Sequence, residues 1–129
     1  MTRHTPAQAA EIADRLAYNG SGLVPAVAQQ HDTGEVLMLA WMSRDAVIQT
    51  LTTGQVTYHS RSRGALWRKG ATSGNTQRLV AFRVDCDADT VLVLIDQTGP
   101  ACHTGRRTCF YRDAGLDGLR EVDTGAISR

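Results

Sequence analysis

The sequence predicts an α+β fold, with mixed or antiparallel β-sheets and a few short helices. Two capped segments with apolar residues at helical spacing alternate with six short strand-like runs, and a length of 129 residues favours a single domain. The composition is 42% hydrophobic and 21% charged, which marks a folding rather than a disordered chain.

The elements follow in order. TPAQAAEIADRLAYNG predicts a helix: Thr5 caps it, Pro6 suits its first position, Gly20 lies past its end, and Ala9, Ile12, Ala13 and Leu16 form one apolar face. LVPAVAQQ and EVLMLAWM flank HDTGE, a hairpin pattern around Gly34. Ser43 caps a second helix, SRDAVIQTLTTG, with Met42 and Val47 as a hydrophobic staple and Gly54 as its stop. QVTYHS reads as a strand. SRGALWRKGATSGNT, rich in Gly, Ser and charge, reads as a long loop. RLVAFRVDCD and TVLVLID read as two more strands and TCFYR as a short one. DAGLDGLREVDTGAISR is weakly patterned and reads as partly loose.

The whole chain excludes several classes. A net charge of +1, from 14 Lys+Arg and 13 Asp+Glu, does not suit a nucleic-acid binder. No apolar stretch reaches the ~18 residues of a membrane span, and MTRHTPAQAAEIADRL lacks a signal-peptide core, so the expected location is the cytoplasm. Thiols stay reduced there, and three cysteines fit a closed disulfide framework poorly.

Three constellations carry chemistry. Cys86, Cys102 and Cys109 are spaced C-x15-C-x6-C, without the C-x2-C pair of structural zinc fingers. They are either three small buried residues or, lying near element ends, ligands of a soft metal such as zinc. Three ligands would leave a tetrahedral position open, as in catalytic sites. Asp85, Asp87 and Asp89 share one face of an extended strand, with Cys86 on the other. Neighbours then stand ~6.6 Å apart and the outer pair ~13 Å, too far for one ion unless the segment curls. They are either a solvated strand end or an oxygen-ligand site suited to magnesium. HSRSRGALWRKGATSGN carries Arg61, Arg63, Arg68 and Lys69, with Ser60, Ser62, Thr72, Ser73 and Asn75 as hydrogen-bond partners and Trp67 as a stacking platform. It is either a charged surface loop or a phosphate-holding segment.

In that order, SRSRGALWRKGATSGNTQ, DCDAD and GPACHTGRRTCF strongly resemble the phosphoribosyl-AMP cyclohydrolases of histidine biosynthesis, over about Leu23 to Arg112. The resemblance implies a metal-dependent hydrolase that opens the N1–C6 bond of the adenine ring of 1-(5-phosphoribosyl)-AMP. It implies zinc on Cys86, Cys102 and Cys109, and magnesium on Asp85, Asp87 and Asp89. It also implies an intertwined homodimer whose zinc site joins Cys86 of one chain to Cys102 and Cys109 of the other. His103 would shuttle protons; Arg61, Arg63 and Lys69 would hold two phosphates; Ser62, Trp67, Ser73 and Asn75 would contact and orient the substrate. A fused pyrophosphatase domain, common in the family, is not expected in residues 1–129. Ala71 replaces an acidic residue frequent before TSGN, and His59 stands where an aromatic is expected.

Overall fold

In the computed structural model, which describes residues 3–122, the chain runs α1 (Pro6–Asp14), β1 (Leu23–Gln30), β2 (Val36–Ser43), α2 (Arg44–Thr53), β3 (Thr57–Ser60), β4 (Ala65–Arg68), β5 (Gln77–Val84), β6 (Val91–Gln97), β7 (Arg112–Gly115) and β8 (Gly118–Glu121). Strand order in the main sheet is β2-β1-β6-β5. β1 pairs antiparallel with β2 and parallel with β6, and β5 pairs antiparallel with β6, so the α+β, mixed-sheet expectation holds. Pro25, which has no N–H to donate, sits one residue before the pairing with β6 begins at Ala26.

Burial alternates along β1 and β6. The inward residues Ala26, Ala28, Val91, Val93 and Ile95 join Ala9 and Ala13 of α1 and Ala46, Val47 and Leu51 of α2 in one core. The outward face is also apolar: Val27 pairs with Leu39 on one side and Leu92 on the other, and Leu39 is exposed.

Local signals hold for both helix starts. Thr5 and Gln8 form a reciprocal capping box, and the Ala46 amide donates to the Ser43 hydroxyl at 3.2 Å. Met42 and Val47 are both fully buried in the core, and α2 ends on Gly54 at φ +75°. α1, expected to run to the Gly20 stop, ends at Asp14. The Tyr18 hydroxyl donates to the Ala13 carbonyl at 2.8 Å, and the Ala17 amide turns away to the Ala88 carbonyl at 2.7 Å. Three other expectations are corrected. The supposed loop holds β4, whose pairing to β3 sets Tyr58 beside Trp67 with ring centroids 5.5 Å apart. TCFYR is irregular up to Arg112, where β7 begins, because Thr108 and Cys109 spend their donors on β2: the Thr108 hydroxyl on the Val36 carbonyl at 2.9 Å, the Cys109 amide on the Leu37 carbonyl at 2.7 Å. The tail, read as loose, forms the β7–β8 hairpin up to Glu121; the part of that reading on residues 123–129 falls outside the described residues.

Candidate functional site

Two of the three thiols meet in space. Cys102 lies on the turn after β6, where the Ala101 and Cys102 amides donate to the Arg107 and Arg106 carbonyls, both at 3.1 Å. That closure brings Cys109 back beside Cys102, so that each thiol perturbs the other. Burial pushes Cys102 up, but hydrogen bonds from Thr104 and Cys109 and the charge of Lys69 bring it below its ordinary value. Its sulfur stands 3.0 Å from the Thr104 hydroxyl. Cys109 is exposed as a residue, yet desolvation of its sulfur, followed by the proximity of Cys102, pushes its thiol up to about 11.

Lys69, at the end of β4, reaches in from the other side. Its ammonium donates to the Ala101 carbonyl at 2.6 Å and stands 5.3 Å from the Trp67 ring centroid. The residue is 8% exposed, and burial holds its pKa below the usual lysine range.

Above this wall opens a cavity of about 330 Å³ lined by Trp67, Lys69, Gly70–Ser73, Asn75, Pro100, Cys102, His103 and Gly105. It unites seven residues singled out from sequence: Trp67, Lys69, Thr72, Ser73, Asn75, Cys102 and His103. Gly70 permits the loop to close, since a Cβ there would meet the Asn75–Thr76 peptide at 2.5 Å. Beneath the loop runs a buried polar chain that sequence reasoning missed. The Tyr58 hydroxyl donates to Gln77 Oε1 at 2.6 Å, and the Gln77 amide donates to Gln97 Oε1 at 2.9 Å. Gln97 Nε2 then donates to the Thr98 carbonyl at 3.1 Å. The signal was available: glutamines at inward positions of β5 and β6 break otherwise apolar patterns and require partners.

Arg61, Ser62 and Arg63 are exposed on the β3–β4 connection, outside the cavity lining. The Arg61 guanidinium stacks 4.9 Å over the Trp41 ring, and the Arg63 amide and guanidinium both approach the Ser60 hydroxyl at 3.4 Å.

The aspartates do not share a strand face. β5 ends at Val84, and the chain curls through a turn in which Ala88 takes φ +63°. The Asp85 carboxylate accepts the Asp89 amide at 3.0 Å and the Thr90 amide at 3.2 Å, while the Asp85 amide donates to the Thr90 carbonyl at 3.1 Å. The curl brings one oxygen of each of Asp85, Asp87 and Asp89 within 4.8 Å of the others. Desolvation of Asp85 acts upward, but its hydrogen bonds with Asp89, Thr90 and Asp87 together outweigh it and hold it below the usual carboxylate range. Asp87 is held above it, first by its hydrogen bond with Asp89 and then by crowding of like charge. Among the described residues this trio alone groups three metal-type ligands; Cys86, exposed in the same turn, does not join Cys102 and Cys109 within one chain.

A family model described as phosphoribosyl-AMP cyclohydrolase matches residues 38–111. A phosphoribosyl-AMP cyclohydrolase of Paramagnetospirillum magneticum is 61% identical over 119 residues, covering 92% of this chain and 90% of the relative. The chain belongs to the phosphoribosyl-AMP cyclohydrolase family. The same name is carried by relatives from Acidiphilium cryptum, 62% identical over 81% of this chain and 90% of theirs, and Granulibacter bethesdensis, 64% identical over 84% of each. Cyclohydrolases of this family are hydrolases of histidine biosynthesis. The segment matched to the cyclohydrolase model contains the cavity, the three cysteines and the three aspartates, while α1, β1 and the β7–β8 hairpin lie outside it.

Proposed function

We propose that this chain hydrolyses the adenine ring of 1-(5-phosphoribosyl)-AMP at its N1–C6 bond, giving the formimino-aminoimidazole carboxamide ribotide of histidine biosynthesis in a metal-dependent reaction. The observation that carries the reading is the cavity joining Trp67, Lys69, Ser73, Asn75, Cys102 and His103. An indole face beside hydroxyl and amide groups suits a heterocycle with ribose arms.

The donor sets fit two metals of different hardness. The facing thiols of Cys102 and Cys109 suit zinc, with Cys86 of the partner subunit as third ligand in a homodimer. The outward apolar face of the main sheet, with Val27, Leu39 and Leu92 in register, supports a second copy. The curled Asp85, Asp87 and Asp89 suit magnesium, an oxygen-seeking ion often shared with phosphate. Held by the Cys102 and Cys109 thiols, zinc would supply Lewis acidity that makes hydroxide accessible near neutral pH.

The chain's own residues do the rest. Phosphoribosylation of N1 leaves C6 electron-poor, so oxygen adds there, the C6–N1 bond breaks, and N1 leaves as the amidine nitrogen after gaining a proton. His103, exposed at the cavity wall and built on the same turn as Cys102, moves that proton. Trp67 stacks on the base, and Ser73 and Asn75 orient it. Arg61 and Arg63, with Ser62, hold phosphate where they project from the β3–β4 connection, and Lys69 adds positive charge to the wall. Residues 1–129 act as one cyclohydrolase domain, working in the cytoplasm.

The test is a turnover assay with 1-(5-phosphoribosyl)-AMP on wild type and Cys102→Ala. The product should carry the mass of one added water with no ammonia released, and the variant should lose zinc and activity together. Ammonia release would indicate a deaminase, whose H-x-E and P-C-x-x-C signatures the sequence lacks. A variant that keeps both zinc and rate refutes the assignment.

A further inference from the structure

Lys69 is the chain's single lysine, against thirteen arginines, and the only charged residue among the buried ones described. A chain that uses arginine at every other cationic position places its one ammonium where the guanidinium fork would not serve: at the end of a narrow stem, against a backbone carbonyl. The Ala101 carbonyl that accepts from Lys69 at 2.6 Å belongs to the residue before Cys102. The Lys69 amide itself donates to the Val56 carbonyl at 3.0 Å, anchoring β4 to the strand entry beside the core. Lys69 therefore spans two elements, the β3–β4 hairpin and the cysteine turn.

We propose that Lys69 is a positioning residue for the metal-binding turn: it clamps Ala101 so that Cys102 is presented beside Cys109, and it supplies the counter-charge for the thiolates. This deepens the assignment above and rests on it. Three thiolates around a zinc dication sum to one negative charge, and a buried ammonium beside two of them offsets it. In this proposal the phosphate contact expected of Lys69 from sequence gives way to a role directed at the turn: one of the ammonium's three donors is committed to Ala101, and the residue is buried.

The experiment compares wild type with Lys69→Met, which keeps the stem and removes the donor and charge. Zinc affinity, by competition with a chelator, should weaken about 10–100-fold, the usual effect of removing a partner that supports a metal ligand. In the zinc-free protein the Ala101 and Cys102 amides should exchange roughly 3–10-fold faster, the loss of one hydrogen bond, with amides of β6 unchanged. Unaltered zinc affinity and unaltered amide protection overturn the proposal, as does a raised KM with both intact, which would make Lys69 a substrate ligand. If wild type binds no zinc while the variant still loses protection at Ala101 and Cys102, the clamp stands and the metal assignment fails. Should Lys69→Met not fold, wild type labelled at its one lysine decides: the ε-ammonium resonance should move on adding zinc and stay on adding inorganic phosphate, and the reverse overturns the proposal.

Discussion

Replacing Gly70 by alanine probes how tightly the cavity loop is closed, and Gly74 supplies the control. Both glycines have φ +82°, so an alanine at either bears the left-handed backbone cost of about 1–2 kcal/mol. They differ in what the new methyl meets. At Gly74 nothing lies within 4 Å; at Gly70 the Cβ lands 2.5 Å from both the Asn75 carbonyl carbon and the Thr76 nitrogen. Those are backbone atoms, which cannot rotate aside, and forcing such a contact adds about 1–3 kcal/mol. Gly70→Ala should therefore unfold about 1–3 kcal/mol more easily than Gly74→Ala. With a urea slope near 2 kcal/mol/M, that is a midpoint gap of roughly 1 M. The measurement is urea unfolding at fixed protein concentration with excess chelator, so that metal binding does not shift the midpoints. KM should also rise in Gly70→Ala, because the displaced peptide carries Asn75. Equal midpoints would refute the claim that the loop closes on Gly70.

Two further predictions use the same unfolding assay. Tyr58→Phe leaves Gln77 Oε1 buried without its donor, so it should cost about 1–3 kcal/mol although it removes one atom; a change near zero would mean the polar chain under the loop is not cooperative. Asp96 is held below its ordinary 3.8, first by the Gln30 side-chain amide and then by Arg78. A carboxylate with a depressed folded pKa adds stability above its ordinary value and loses it as pH falls through the lower folded one. Asp96→Asn should accordingly flatten the loss of stability below about pH 4, and an acid limb as steep as wild type's would refute this role for Asp96.

What the sequence revealed was mostly local. Thr5, Ser43 and Gly54 cap through neighbours a few residues away, so their types and spacing suffice. α1 ends early because of Tyr18 and Ala88, one beyond the helix and one in the turn between β5 and β6, and no periodicity reports them. β4 is a four-residue strand held by pairing to β3 and the Tyr58–Trp67 contact, invisible when its residues are read singly. The aspartates illustrate the same limit in the site. Alternation assigns them to one face of an extended strand, but Ala88 adopts a positive φ that an L-residue seldom takes, and Asp85 folds its own oxygen onto the amides ahead. The cysteine pair was nameable from its motif, whereas the closeness of Cys102 to Cys109 depends on a turn closed by Arg106 and Arg107.

The 2.7 Å hydrogen bond from the Ala17 amide to the Ala88 carbonyl gives the acidic turn an outside brace. Ala17 lies ahead of the segment matched to the family model, so the geometry of the three carboxylates is not wholly encoded by the stretch that carries them. A transplanted DCDADT hairpin would bring the ligands without the strut, and a chain trimmed before β1 would keep every charged group of that turn yet free its backbone to unwind.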